Sequence, residues 1–206
     1  LKLHFAVQAS VRGFKKNPEL AAAMAKAGTK VVFLGIENAA DNALEYMQKS
    51  NQLTSADTAD VVKNLKKFGI LVVGGFIFGY PGDNEQTLMA NFNFAKKIGI
   101  DIQLFNILTP HLKTELREDL LKQEMITNID DYSKYNHYAS NVKTNHLTCE
   151  ELFKIRNKLD AKYPVESGAI FRLLRAYPAF FSGVIMKMIL QEPKNWVNFT
   201  TGFLRK

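Results

Sequence analysis

The feature that most constrains the fold of this sequence is a regular alternation of apolar runs with helical patterns. Apolar runs of strand length occupy residues 1–9, 30–37, 70–79 and 100–108, and amphipathic segments separate them. Strands that alternate with helices in this way form βαβ units, in which neighbouring strands run parallel and are buried on both faces. The sequence therefore predicts an α/β fold, built either as an open doubly wound sheet or as part of a closed barrel.

The predicted helices carry start signals of the usual kind. The first covers residues 17–28, with Asn17 as its N-cap and Pro18 at its first position. A glycine ends each helical segment shortly before the next strand, as expected for a helix C-terminus. The other predicted helices cover residues 41–49, residues 55–69 capped by Thr54 or Ser55, and residues 84–99 capped by Asn84.

In both kinds of α/β fold, the loops after the carboxyl ends of the strands build the functional site. Glu37 is the sharpest candidate there, because a carboxylate that ends an apolar strand has left the core and needs a partner. A charged residue that caps the following helix would explain the same position equally well. The candidates at the four strand ends are Gln8, Ser10 and Arg12, then Gly35 and Glu37, then residues 75–83, and then residues 106–111.

The third strand ends in a glycine-rich stretch, "GGFIFGYPGD", in which Gly75 and Gly79 flank Ile77 and two phenylalanines. Exposed backbone beside apolar side chains suits edge-on hydrogen bonding to a flat heterocycle. A tight turn into the next helix would use the same glycines. The sequence contains neither the GxGxxG fingerprint of dinucleotide-binding folds nor the GK[ST] of a P-loop.

Composition limits the class of protein and the kinds of metal site. The chain has 206 residues, of which 47% are hydrophobic and 23% charged, which is enough for one soluble domain with a real core. Cys149 is the only cysteine, so the chain has no disulfide framework and cannot hold a cysteine-ligated cluster unaided. The histidines His4, His111, His137 and His146 show no metal-binding spacing. We therefore expect a cytoplasmic protein.

The basic charge is concentrated near the end of the chain. Residues 165–206 carry six basic and two acidic side chains, which is four of the net charge of +7, together with seven aromatic residues. Such a segment is typical of a helix that packs on its own domain, but it also suits an anionic membrane surface. Its densest apolar run spans 15 residues and contains Pro178 and Lys187, so it is too short and interrupted to cross a bilayer. Peripheral membrane contact is therefore the alternative to packing for this segment, and we expect no nucleic acid partner.

Taken together, "AGTKVVFLGIENAADNALEYMQK", "GGFIFGYPGDNEQTLMANFNFAKKIGI" and "FNILTP" resemble the C-terminal half of radical S-adenosylmethionine (SAM) enzymes. The resemblance covers about residues 3–163. It is strongest to the class with an N-terminal cobalamin-binding domain, which includes anaerobic magnesium-protoporphyrin ester cyclases and radical C-methyltransferases. It implies a partial TIM-like (β/α) barrel, in which the four strands here are strands three to six of a (β/α)6 barrel. The expected organisation is a barrel portion at 1–125 and a helical extension at 126–206.

The resemblance also implies cofactors and site residues. The cofactors would be SAM, a 4Fe-4S cluster ligated by residues outside this chain, and cobalamin on a separate N-terminal domain. Glu37 would lie beside the ribose or methionyl part of SAM, and the strand end near Ile77 would contact adenine through its backbone. The cofactor-binding residues implied are Gln8, Ser10, Gly35, Glu37, Gly75, Ile77, Gly79 and Thr109.

The parent protein would then methylate or oxidatively cyclise an apolar, lipid-like or tetrapyrrole-like small molecule by radical chemistry. One alternative is a radical SAM oxidoreductase or methylthiotransferase-like protein without cobalamin. Another is a non-enzymatic β-α binding module whose basic tail docks on a membrane or partner. We expect the rest of the parent polypeptide to be a partner of this piece. Since a partial barrel would leave an unpaired sheet edge around residues 3–9, we also expect the isolated piece to dimerise through this edge or to cover it with the tail.

Overall fold

The structure is a computed structural model that describes residues 3–39 and 53–176. In this part of the chain, strands and helices alternate as the sequence predicts, and three α-helices and a 3₁₀ turn follow the last strand. The elements are β1 (Phe5–Ser10), α1 (Val11–Lys16), α2 (Leu20–Ala27), β2 (Thr29–Glu37), α3 (Ser55–Lys67), β3 (Leu71–Phe78), α4 (Glu85–Ile98), β4 (Ile102–Ile107), α5 (Glu115–Lys122), a 3₁₀ turn (Tyr132–Lys134), α6 (Cys149–Glu166) and α7 (Ala169–Ala176).

All four strands are parallel and lie in the order β1-β2-β3-β4. A doubly wound sheet reverses its strand order at a switch point, whereas a barrel adds each strand beside the previous one. The consecutive order therefore selects the barrel alternative and confirms a partial TIM-like (β/α) barrel.

The two faces of the sheet differ in burial. On the helix face, alternate side chains such as Val32, Leu34 and Val72 are fully buried. On the opposite face, which we call the inner face, the side chains of Gln8, Phe33 and their neighbours in register are only partly buried or exposed. In a closed barrel this inner face would surround the interior, and here it is accessible along the described strands.

Two helix starts match their predicted caps. Thr54 caps α3 and forms a capping box with Asp57, and Asn84 caps α4 in the same way with Thr87. The prediction for residues 17–28 is wrong at its start. Asn17 instead ends α1, where its side chain donates to the carbonyl of Gly13 at 3.1 Å, and the next helix begins at Leu20.

The core on the helix face is centred on aromatic rings. Phe105 of β4 stacks on Phe78 of β3 with centroids 4.9 Å apart, and Tyr163 of α6 meets Phe105 edge-on at 6.0 Å. The hydroxyl of Tyr163 donates to the carbonyl of Ile100 at 3.0 Å, so this buried ring leaves no unsatisfied polar group. Helix α6 is thereby fixed against the last strand.

The predicted boundary after residue 125 stays a prediction, because the core continues across it. Val142, Leu152 and Leu159 belong to the same buried cluster as the strands. The guanidinium of Arg156 also donates to the carbonyl of Phe105 at 2.6 Å. Within residues 3–39 and 53–176, the first part of the predicted extension is therefore packed against the barrel portion.

Several predictions concern residues outside the described ranges. These are the helix at 41–49 and the basic aromatic segment beyond Ala176, so its packing and membrane contact stay predictions. In the part that is described, no helix is long and apolar enough to cross a membrane. Strand β1 pairs only with β2 among the described strands, and the dimer through its outer edge also stays a prediction.

Candidate functional site

The carboxyl ends of the four parallel strands meet at one edge of the sheet, which we call the carboxyl edge. Near this edge, Ser10 pairs in register with Gly35, and Gly35 pairs with Gly75. Gln8 lies one step earlier on the same inner face, beside Phe33. The structure thus places four predicted site residues on one accessible surface. The hydroxyl of Ser10 also accepts from the amide of Gly13 at 3.2 Å, as the N-cap of α1.

Glu37 ends β2 in an unusual backbone conformation. Its φ is 70°, and the strand register shifts between Gly35 and Glu37 as in a β-bulge. Left-handed backbone costs a non-glycine residue about 1–2 kcal/mol, and such strain is concentrated at functional sites. A Cβ added to Gly35 would lie 3.0 Å from Oε1 of Glu37, so the carboxylate folds over Gly35 on the inner face.

The lack of a side chain at Gly75 makes room for the ring of Phe33. A Cβ at this position would lie 2.7 Å from Cζ of Phe33, which is closer than real contacts allow. The missing side chain therefore gives room to the ring of Phe33, which covers the strand. The Phe33 ring thus lies over Gly75 and the Glu37 carboxylate lies over Gly35, and these two glycines pair in register. The inner face here offers a stacking surface and a hydrogen-bond acceptor.

The turn after β3 is held from inside by Asp83. Its carboxylate is 3% exposed and accepts from the amides of Gly79 at 2.8 Å and Tyr80 at 3.0 Å, and from the hydroxyl of Thr87 at 3.0 Å. Burial raises the pKa of Asp83 above its ordinary value, and these hydrogen bonds oppose the rise. The amide of Gly79 is therefore committed to the turn and does not face a ligand.

A cavity of about 460 Å³ lies at the carboxyl ends of β3 and β4. Two of the predicted site residues, Ile77 and Thr109, line it. The wall is mainly apolar, and its polar groups come from the segment after β4, from α5 and from the loop at 137. The lining residues are Ile77, Tyr80, Ile107, Leu108, Thr109, His111, Glu115, Leu116, Asp119 and His137.

Two histidines meet at the rim of this cavity. The rings of His111 and His137 have centroids 5.3 Å apart. Partial burial, and to a smaller extent the neighbouring His111, lower the pKa of His137 from its ordinary value. His137 also has a left-handed φ of 65°, and its carbonyl accepts from the amide of Ile107 at 2.7 Å.

Sequence reasoning did not assign a role to this rim. The two histidines are 26 positions apart, at His111 and His137, so their meeting leaves no spacing signal. The positions of Glu115 and Asp119, one helical turn apart, are also typical of a solvated helix face. The one available signal was that His111 follows the carboxyl end of a predicted strand.

Within the described residues, no group of three or more histidine, cysteine, aspartate or glutamate side chains is arranged to hold a metal ion. Cys149 begins α6, where its thiol donates to the carbonyl of Ser140 at 2.9 Å. This single thiol contributes to packing at the helix start. The described part of the chain accordingly offers no site for an iron-sulfur cluster.

Known proteins give the following comparisons. Residues 2–95 match the family model of the Radical SAM superfamily. An uncharacterized methyltransferase of Pyrococcus horikoshii, PH0819, is 34% identical over 142 residues, which are 69% of this chain and 30% of that protein. Bacteriochlorophyllide d C-12(1)-methyltransferase of Chlorobaculum tepidum is 27% identical over 194 residues, 94% of this chain and 38% of that protein.

The anaerobic magnesium-protoporphyrin IX monomethyl ester cyclase of Cereibacter sphaeroides is 28% identical over 151 residues, 73% of this chain and 24% of that protein. This chain thus spans about a quarter to two fifths of the length of these relatives. Among solved structures, the radical SAM methyltransferase TsrM of Kitasatospora setae aligns with a TM-score of 0.52 and 23% identity. That alignment covers 59% of this chain and 23% of TsrM, and it supports the fold.

Proposed function

We propose that this chain, which belongs to the radical SAM superfamily through residues 2–95, forms one side of a SAM-binding barrel in a larger enzyme. The observation that carries the proposal is the inner face at the carboxyl ends of β1, β2 and β3. There Glu37, which has a strained backbone, places its carboxylate over Gly35, and the ring of Phe33 lies over the paired Gly75.

This surface fits the polar and flat parts of SAM. The Glu37 carboxylate is an acceptor suited to ribose hydroxyls or to the methionyl ammonium group, since bonds to a charged acceptor are the stronger ones. The apolar side chains of Phe33 and Ile77 suit an adenine ring. Gln8 and Ser10 add polar groups to the same face. The backbone near Ile77, rather than the amide of Gly79, would contact the base, because Asp83 already holds that amide.

The 4Fe-4S cluster would be held outside this chain, because its single cysteine cannot ligate a cluster. Cobalamin would be held on a separate N-terminal domain, as the resemblance implies. When bound, the cluster would supply the electron for reductive cleavage of SAM, which is the source of the radical chemistry in the parent enzyme. The contribution of this chain is to orient SAM and to exclude water from one side of the barrel. Cobalamin is proposed because TsrM, which has this fold, is described with cobalamin and a cluster bound.

The proposed reaction of the parent is radical methylation or oxidative cyclisation of an apolar, tetrapyrrole-like substrate. Relatives that match most of this chain are named for bacteriochlorophyllide methylation and magnesium-protoporphyrin ester cyclisation. The apolar cavity at the ends of β3 and β4 lies on the same carboxyl edge as the proposed SAM surface. A methylthiotransferase-like reaction is the second candidate, because a putative methylthiotransferase of Methanocaldococcus jannaschii is 30% identical over 98 residues.

The test of the SAM site is the substitution Glu37→Gln in the full-length protein. It keeps the shape of the side chain but removes its charge, so we expect SAM to bind about tenfold more weakly, equivalent to about 1.4 kcal/mol. The dissociation constant would be measured by anaerobic equilibrium dialysis of the cluster-loaded protein. Formation of 5′-deoxyadenosine at saturating SAM would be measured in parallel.

Glu85→Gln is the matched control, because Glu85 is an exposed residue in the first turn of α4 and does not line the site. It should leave the SAM dissociation constant unchanged. An unchanged constant in Glu37→Gln would show that Glu37 has only a structural role at the β2 end. A wild-type protein that binds no SAM would contradict the proposed function as a whole.

A further inference from the structure

The cavity rim contains an imidazole pair that the proposed SAM surface does not use. His111 and His137 line the cavity at the ends of β3 and β4, while the proposed SAM surface lies on β1, β2 and β3. The apolar wall, formed by residues such as Ile107, Leu108 and Leu116, suits a flat hydrophobic ring. An imidazole nitrogen beside such a wall can ligate a metal or accept a hydrogen bond.

We propose that His137 binds the central metal of a metallotetrapyrrole substrate whose ring lies against the apolar wall of this cavity. This inference rests on the proposed function and makes its substrate class more specific. The described residues hold no group of three metal-binding side chains, so a free metal ion would be poorly held here. A metallotetrapyrrole brings four nitrogen ligands of its own and needs a single axial ligand from the protein.

The position of His137 is fixed by its surroundings. The amide of Ile107, the last residue of β4, donates to the carbonyl of His137. The loop that carries it is anchored by Arg117, which is buried and donates to the hydroxyl of Tyr135 at 2.7 Å. That hydroxyl donates in turn to the carbonyl of Asn128 at 2.7 Å. An axial ligand works best when its support is rigid, and this network supplies such support.

The charges at the rim set the orientation of the ring. Glu115 and Asp119 also line the cavity and contribute its two carboxylates. Their negative charge disfavours carboxylate groups of the substrate nearby. The acidic edge of a tetrapyrrole would therefore point away from α5. Mg²⁺ generally prefers oxygen ligands. The carboxylate of Glu115 or Asp119 is therefore the alternative to His137 as the axial ligand in this cavity.

The test compares magnesium protoporphyrin with metal-free protoporphyrin, which differ only at the centre of the ring. Both would be titrated into the full-length protein by fluorescence, without SAM and without reductant. We expect the wild type to bind the magnesium form about tenfold more tightly than the metal-free form. In His137→Asn the two affinities should become equal, and the shift of the visible absorption band on binding should disappear.

Asparagine is chosen because it tolerates a positive φ, and His137→Gly serves as a second variant with no possible ligand. His146→Asn is the matched control, since His146 is exposed and does not line the cavity. It should keep the full preference for the magnesium form, as should His111→Asn and Glu115→Gln. Loss of the preference in either of these two variants, with His137→Asn unaffected, would overturn the assignment to His137.

Equal affinity of the wild type for both rings would overturn the proposal of axial ligation. Because the titration needs neither SAM nor a cluster, that result would leave the proposed SAM site intact. Conversely, a protein that prefers the magnesium form but fails to bind SAM would retain this site and lose the proposed function. The two proposals are therefore tested separately.

Discussion

Replacing Asp101 by alanine is expected to lower the free energy of unfolding of this chain by about 3 kcal/mol. The carboxylate is 2% exposed, and it accepts from Lys66 Nζ at 2.8 Å, from Arg172 Nε at 2.9 Å and from the amide of Val72 at 3.0 Å. Alanine would leave the Val72 amide without this acceptor and two cations without their shared anion. Urea unfolding followed by circular dichroism measures the change.

Asp119→Ala is the control for this experiment. Its carboxylate is 57% exposed and pairs with Lys122 at 3.6 Å on the helix surface, an arrangement that contributes little to stability. We expect its free energy of unfolding to stay within about 0.5 kcal/mol of the wild type. A loss in Asp101→Ala as small as this would mean that Lys66 and Arg172, which are about one third exposed, are satisfied by water instead.

The position of Asp101 explains why its role is structural. It precedes β4, at the end of the sheet opposite the carboxyl edge, and joins α3, β3 and α7 through Lys66, Val72 and Arg172. In βα barrels, the amino ends of the strands provide stability and the carboxyl ends provide the site. This chain follows that division, since Glu37 and His137, which have strained backbones, lie at the carboxyl edge.

The parts of the fold that the sequence predicted are those set by local chemistry. Apolar runs, the glycines at helix ends and the caps Thr54 and Asn84 act over a few residues, so they can be recognised without the tertiary structure. The beginning of α2 could not, because Ser10 starts an additional helix and Asn17 serves the end of it. Serine and asparagine occur at helix N-caps, and asparagine also occurs at helix ends, so the residue type alone does not show which helix end each of them caps.

The candidate site was predictable in its location but only partly in its composition. Strand order alone brings Gly35 and Gly75 together, and a carboxylate at the end of β2 signalled Glu37. The role of Phe33 depends on how its ring crosses to β3, and the meeting of His111 with His137 depends on a loop that returns over β4. Contacts between residues far apart in sequence leave no periodic signal.

Asp83→Ala is expected to have the second large effect, because it removes the acceptor that holds the turn after β3. The amides of Gly79 and Tyr80 are buried with it, and each unsatisfied group costs about 1–3 kcal/mol. We expect a loss of about 3 kcal/mol in the free energy of unfolding. The carbonyl of Asp83 also accepts from Thr144 at 2.8 Å, so a disordered turn would release the segment before α6.

The substitution Asp83→Asn keeps a hydrogen-bond acceptor at this position but removes the negative charge, so it separates their two contributions to stability. The amide oxygen can still accept from Gly79 and Tyr80, so we expect most of the stability to remain at pH 7. Burial raises the pKa of Asp83 above 3.8 in the folded chain, so the folded state binds the proton more tightly than the unfolded state does. Relative to Asp83→Asn, the wild type should therefore lose stability as pH rises from about 4 through the raised pKa, and then level off. Urea unfolding of both proteins across this pH range measures the difference. If the wild type instead gains stability over the variant as pH rises, the three hydrogen bonds to the carboxylate outweigh the burial of its charge.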